Sequence, residues 1–247
     1  MSDIRISIAN KTYVLEHDTD QFHHAIAELN FTVHPNQFVC LVGPSGCGKT
    51  TLLNMIAGLD RYFDGQIDMG REHITPSIGY VFQNPRLLPW NTVRQNIEVV
   101  FDEPPPATLI DSLLESMQLL DAQHQYPERL SLGMQRRVAI IRAFAINPDI
   151  LLMDEPFVSL DAPTARQVRS LLYSLWQKRP HTVLFVTHDL REAIALADRL
   201  IFLSSAPMRI LSDIEVSIAR EDRHDESRIE GFREQLLQNH PEIGGLL

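Results

Sequence analysis

Cysteine is scarce in this 247-residue chain, which has only Cys40 and Cys47. Two thiols are too few for a disulfide framework and suit a reducing compartment. No apolar run approaches the ~18 residues needed to cross a bilayer. The opening MSDIRISIAN lacks the basic-then-apolar layout of a signal peptide. Basic charge is also short, with 22 Lys and Arg against 32 Asp and Glu and a formal net charge of −10. No basic stripe of the kind a general nucleic-acid binder needs is formed, so nucleic acid is not an expected partner. No internal repeat or low-complexity tract stands out. What is present, 44% hydrophobic and 22% charged residues, fits a soluble globular protein of one large domain, or a domain with a lobe inserted. A local anion site stays open, because a few residues set it.

Short strands are predicted at Ile4–Ile8, Tyr13–Leu15, Leu29–Val33 and the apolar run Phe38–Val42. A helix is predicted over Lys49–Ala57, closed by Gly58 as a C-terminal cap. Gln66–Asp68 and Ile78–Phe82 read as further strands, with Asp64-Gly65 as a turn signal. From Thr92 to about Ala145 the pattern is helical, broken by Pro104-Pro105-Pro106, which must be a loop. Strands and helices then alternate: Ile150–Met153, a helix over Pro163–Gln177, Thr182–Thr187, a helix over Leu190–Ala197, and Leu200–Leu203. Such alternation implies a parallel sheet covered on both faces. The charged tail beyond Ser217 is expected to be peripheral.

Gly43-Pro44-Ser45-Gly46-Cys47-Gly48-Lys49-Thr50 matches G-x-x-x-x-G-K-[ST] between a predicted strand and a predicted helix. Glycines let the backbone wrap so that successive N–H groups face phosphate oxygens, and the helix dipole adds attraction there. Lys49 would reach the β- and γ-phosphates, and the Thr50 hydroxyl would help to hold Mg²⁺. Cys47 reads as a small loop residue, not a catalytic thiol.

Roughly a hundred residues further on, Ile150-Leu-Leu-Met-Asp154-Glu155 ends an apolar strand in two acids. The carboxyl ends of parallel strands border the ligand crevice. Asp154 is therefore a candidate for the Mg²⁺ shell, and Glu155 for the general base acting on water. His188 follows the buried strand TVLFVT, and is the one histidine assigned a role, near the γ-phosphate. Gln83 follows Ile78–Phe82 and is a further candidate for Mg²⁺.

A helix beginning near Met134 shows apolar residues at Met134, Val138, Ile141 and Ala145. Its first turn carries Arg136 and Arg137, where the helix dipole disfavours cations. Ser131 can cap it, and Gly133 allows a close backbone approach.

The phosphate loop, Gln83, ERLSLGMQRR, ILLMDEP, Ser159-Leu160-Asp161 and His188 follow one another in a fixed order. Together they resemble the nucleotide-binding subunit of ATP-binding cassette (ABC) transporters over nearly the whole chain, as Walker A, Q-loop, signature, Walker B, D-loop and H-loop. The resemblance implies an α/β fold: a P-loop NTPase (RecA-like) core with an N-terminal antiparallel β-subdomain and an inserted α-helical subdomain. One ABC ATPase domain would span 1–247, with 1–90 and 146–247 as the core and 91–145 as the helical signature subdomain. ATP and Mg²⁺ are the implied cofactors. ATP would be held by Gly43–Thr51 with Gln83, and Tyr13 would lie against adenine. Mg²⁺ would be held by Thr50, Gln83 and Asp154, and Glu155 and His188 would be catalytic.

In the family two copies pack head to tail. Ser131, Leu132, Gly133 and Met134 would thus face the nucleotide of a second copy, with Asp161 in the D-loop. Arg136 and Arg137 are tolerable beside such an anion, although pairing with Glu128 or plain solvent exposure explains them equally well. The family pattern is LSGGQ; here Leu132 and Met134 replace a Gly and the Gln. Loss of the Gln amide removes a contact worth ~1 kcal/mol and implies weaker closure, not inactivity.

Phe82-Gln-Asn-Pro-Arg-Leu-Leu-Pro-Trp90-Asn-Thr-Val resembles the same region in nitrate/sulfonate/taurine-type importers. That implies an integral membrane permease as partner, a solute-binding protein acting indirectly, and a cytoplasmic location on the inner face of the bacterial membrane. Importers of thiamine precursors and other small molecules share this ATPase type, so the solute is not fixed, and a non-transport ABC ATPase is the other alternative.

Overall fold

The computed structural model describes residues 3–15, 18–70 and 76–246. In chain order the first elements are β1 (Ile4–Leu15), β2 (Asp18–Val33), β3 (Phe38–Val42), α1 (Lys49–Ile56), β4 (Asp64–Asp68) and β5 (Ile78–Val81). The helical stretch holds α2 (Val93–Glu98), α3 (Ala107–Ser116) and α4 (Leu132–Ala145). Then come β6 (Ile150–Asp154), α5 (Ala162–Lys178), β7 (Thr182–Thr187), α6 (Leu190–Leu196), β8 (Arg199–Leu203), β9 (Ile210–Glu215), α7 (Glu226–Asn239) and α8 (Pro241–Gly244). Two compact units result, Met1–Thr75 with Thr182–Leu247, and Pro76–His181.

The first unit is built on two layers of strands. β1 pairs antiparallel with both β2 and β4. β3 lies between β7 and β8, parallel to each, and β9 closes the edge antiparallel to β8. Every residue of β3 and β7 is buried, as expected of parallel strands covered on both faces. The antiparallel sheet is tied to the loop after β8, where Ala27 N–H donates to Met208 O at 3.1 Å and Met208 N–H to Ala25 O at 2.9 Å.

Asp64-Gly65, expected to mark a turn, lies inside β4 instead, opposite Asn10 and Ile8. The glycine serves a close approach. A Cβ at Gly65 would stand 2.2 Å from Ser7 O and 2.8 Å from Ile8 Cα, and its φ is +136°. The pairing shifts register at this point, so a β-bulge uses the residue that a turn would also have used.

The charged tail is not peripheral. Ile229, Leu236 and Ile243 are buried, because the polar stretch also carries an apolar face at helical spacing. Arg223 is buried too, donating to Ala197 O at 2.7 Å. Arg220 pairs with Asp198, whose carboxylate also accepts from Phe38 N–H at 3.0 Å.

In the second unit β5 and β6 run parallel, and β6 is wholly buried. Gly79 of β5 sits where a Cβ would come 2.5 Å from Ala143 O of α4, which lets the helix lie close on the strand. Gln95 and Thr92 form a capping box at the start of α2. Asn96, buried behind it, accepts from Leu88 N–H and donates to the carbonyls of Leu88, Asn91 and Thr92.

Candidate functional site

The first unit carries the phosphate loop between β3 and α1. Gly46 and Gly48 have φ of +78° and +107°, a region that strains other residues. Gly43 is crowded: a Cβ there would meet Leu203 Cβ at 3.1 Å and Cys47 Sγ at 3.2 Å. No side chain caps α1 and its first turn holds no acid, so the positive helix end keeps its character. Lys49 is buried and folds back over the loop, donating from Nζ to Gly43 O at 2.8 Å and Pro44 O at 2.9 Å. Ser45 and Thr50 are exposed, while Cys47 is buried. Behind the loop, burial pushes the Cys40 thiol well up, reinforced by Glu192 and opposed by Lys49.

Tyr13 is 39% exposed and braced from behind. Its hydroxyl donates to Asp60 Oδ2 at 3.1 Å and reaches Thr51 Oγ1 of α1 at 3.5 Å. Lys11 lies 4.5 Å from the Tyr13 ring centroid and donates to Asp60 Oδ1 at 2.9 Å and Tyr62 O at 2.7 Å. Desolvation acts upward on the Asp60 pKa. Hydrogen bonds from Lys11, the Tyr62 backbone and Tyr13 outweigh it, leaving the carboxyl below its usual range. Sequence reading missed Lys11 and Asp60. Lys11 had a signal, lying two residues from Tyr13 on a strand, but Asp60 is distant in sequence and had none.

His188 leaves β7 on a stiff turn. Thr187 Oγ1 donates to Glu192 Oε2 at 2.9 Å and accepts from Asp189 N–H at 3.0 Å. Asp189 caps α6 by accepting from Arg191 N–H at 2.8 Å. A cavity of about 330 Å³ is lined by His188, Asp189, Leu190, Arg191 and Arg233.

The second unit holds the carboxylates. Asp154 ends β6 and is buried, whereas Glu155 is half-buried with φ of +43°. Ser159, four residues on, has φ of +65°. Non-glycine residues in this region cost roughly 1–3 kcal/mol and cluster at working sites. Gln83 and Glu155 are brought together, Gln83 Nε2 lying 3.5 Å from Glu155 Oε2. Asp161 caps α5, accepting from Thr164 N–H at 3.0 Å and Thr164 Oγ1 at 2.7 Å. These bonds hold its carboxyl below the ordinary value.

Ser131 caps α4, accepting from Met134 N–H at 3.2 Å, so the helix begins at Leu132, earlier than the apolar spacing suggested. Gly133 packs where a Cβ would stand 2.6 Å from Thr164 Cγ2. Leu132 is 38% exposed. Arg136 and Arg137 neither pair with Glu128 nor stand in solvent. Arg136 is buried and donates to Phe82 O at 3.3 Å and Val158 O at 3.4 Å, while Arg137 donates to Met117 O at 2.9 Å. Backbone carbonyls, invisible to side-chain pattern reading, are what these guanidiniums meet.

A family profile described as "ABC transporter" matches residues 26–158. The aliphatic sulfonates import ATP-binding protein SsuB of Bacillus subtilis is 36% identical over 239 residues, covering 95% of this chain and 92% of that one. The chain belongs to the ABC transporter family.

Within that family, SsuB of Bacillus licheniformis is 44% identical over 198 residues, 78% of each chain. The nitrate import ATP-binding protein NrtD of Synechococcus elongatus is 38% identical over 200 residues, covering 77% of this chain and 73% of that one. Among solved structures, the dimeric post-hydrolysis state of the ATP-binding cassette MJ0796 bound to ADP and Pi superposes with a TM-score of 0.75 at 28% identity. It covers 87% of this chain and all of its own. This ABC protein is thus an ATP-binding ATPase with the expected α/β cassette fold. Among the described residues, no helix is long and apolar enough to cross a membrane.

Proposed function

We propose that this ABC ATPase energises import of a small solute of the nitrate, sulfonate or taurine type through a separate integral membrane permease, working as a homodimer on the cytoplasmic face of the membrane. The observation that carries the reading is similarity over 95% of the chain to a protein named for aliphatic sulfonate import. Similarity to a nitrate import protein supports the solute class at the same coarse level. A solute-binding protein would act on the permease, outside this chain.

The loop Gly43–Thr51 suits a phosphate chain, since wrapped glycine backbone, the positive end of α1 and Lys49 converge on one place. Tyr13, fixed by Asp60 and Lys11, would offer its ring to the base. For Mg²⁺, the candidate ligands Thr50, Gln83 and Asp154 would offer hydroxyl, amide and carboxylate oxygens, the hard donor types that this ion prefers. When bound, Mg²⁺ would neutralise charge on the β- and γ-phosphates.

Glu155 would take the proton from the water that attacks the γ-phosphorus, as the bond to the ADP oxygen breaks. His188 would donate a hydrogen bond near that phosphate. Ser131, Leu132, Gly133 and Met134 would meet the nucleotide of the second copy, and Asp161 would stand in the adjoining turn. The dimeric cassette among the similar solved structures supports this pairing.

Co-expression with a permease encoded beside it is the test. Copurification, with ATP hydrolysis raised by a sulfonate or nitrate and its binding protein, is expected. Copurification with ribosomes or DNA and no permease would replace the transport reading.

A further inference from the structure

Arg136 is a cation at an unfavourable address. It lies in the first turns of α4, 3% exposed, and among the described residues no carboxylate pairs with it. Among the described residues its buried Nε has no hydrogen-bond partner. Taking a guanidinium out of water without a counter-charge is unfavourable. A neutral side chain of similar length would fill the same space at less cost.

Its contacts close a circuit. One arm donates to Phe82 O at 3.3 Å, the residue next to Gln83, and the other to Val158 O at 3.4 Å. Val158 N–H donates to Glu155 O at 3.2 Å, and Gln83 Nε2 stands 3.5 Å from Glu155 Oε2. Arg136 therefore grips both backbone segments that set the distance between the Gln83 amide and the Glu155 carboxylate. A planar fork reaches two carbonyls at once, which an ammonium on a single stem does not do well.

From this circuit we infer that Arg136 is a positioning residue for hydrolysis, fixing the Phe82–Gln83 turn and the Glu155–Asp161 turn to α4. The inference rests on the assignment of Glu155 as the base. Both turns contain a strained or exposed segment, Ser159 having φ of +65°, and neither is held by regular pairing. A link from a helix is what such segments need in order to stay in register with each other.

The test compares Arg136→Met, Arg136→Lys and Glu155→Gln with the wild type, with rates normalised to nucleotide bound. Arg136→Met should lower kcat roughly tenfold, as a displaced catalytic group does, and leave the KM for ATP within about twofold. Hydrogen exchange should rise at the amides of 83–84 and 158–161 and stay unchanged in the middle of α4. Arg136→Lys should steady one turn only and recover part of the rate, and it decides the question if the methionine variant does not fold. Unchanged kcat in both variants, or faster exchange spread evenly along α4, would reduce Arg136 to a packing residue. A wild type that hydrolyses ATP beside an equally active Glu155→Gln would instead overturn the base assignment, a separate failure.

Discussion

Asp60→Asn should damage this protein in two measurable ways. The Lys11 ammonium is 4% exposed and touches both oxygens of Asp60, at 2.8 and 2.9 Å. Asparagine keeps the shape and one acceptor oxygen but removes the counter-charge, leaving the cation neutral acceptors and the Tyr13 ring. Stranding one partner of a fully buried pair costs about 3–5 kcal/mol, and an exposed pair is worth roughly 0–1. The Asp60 side chain keeps some contact with water, so about 2 kcal/mol is expected, or roughly 4–8 °C in Tm for a chain of this size. The Tyr13 ring also loses its anchor, and ATP affinity should weaken by about three- to fivefold. The double variant Lys11→Met/Asp60→Asn removes the stranded charge and should recover most of the stability, though not the affinity. Thermal melts and ATP titrations measure the two effects. A single variant as stable as wild type, or a double variant whose loss is the plain sum of the two singles, would refute the coupling.

Acidification offers a related check. The folded Asp60 pKa is depressed, so its contribution is complete above the usual carboxylate value of 3.8. It is lost as pH falls through the folded value, and that acid limb should be shallower in Asp60→Asn. His181 acts at milder pH: burial, followed by Arg179, lowers its pKa below 6.5 against an opposing pull from Asp149. Stability from this neutral histidine is complete above 6.5 and lost as pH falls toward the folded value, and His181→Phe should flatten denaturation midpoints across that window. Ser131→Ala removes the cap on α4 and should cost about 1 kcal/mol in denaturant melts. Gly65→Ala drives a Cβ into the Ser7 backbone and should lower the Tm far more than an exposed Gly→Ala change such as that at Gly231. Restoring Gln at Met134 should raise ATP turnover several-fold if a lost polar contact of ~1 kcal/mol weakens closure.

The strands most readily read from the sequence were those whose residues are buried on both faces. Phe38–Val42 and Thr182–Thr187 are continuous apolar runs, and the structure returns them with the same bounds. The antiparallel strands β1 and β2 extend well past their apolar stretches, because pairing along their length can carry polar residues that a hydrophobic pattern does not select. Gly65 misled for a local reason, since turns and bulges both call for a residue without a side chain. The phosphate loop was legible because glycine spacing and a lysine are properties of one short segment. The bracing of Tyr13 by Asp60, the buried carbonyl contacts of Arg136 and the positive φ of Glu155 were not, being set by partners remote in the chain or by backbone shape.

Glu155 is proposed as the base for ATP hydrolysis. Single-turnover hydrolysis by Glu155→Gln, with light scattering to follow assembly, tests it most directly. The variant should bind ATP with near wild-type affinity, hydrolyse almost none and accumulate as a dimer. Near-normal hydrolysis in that variant would remove Glu155 from the mechanism.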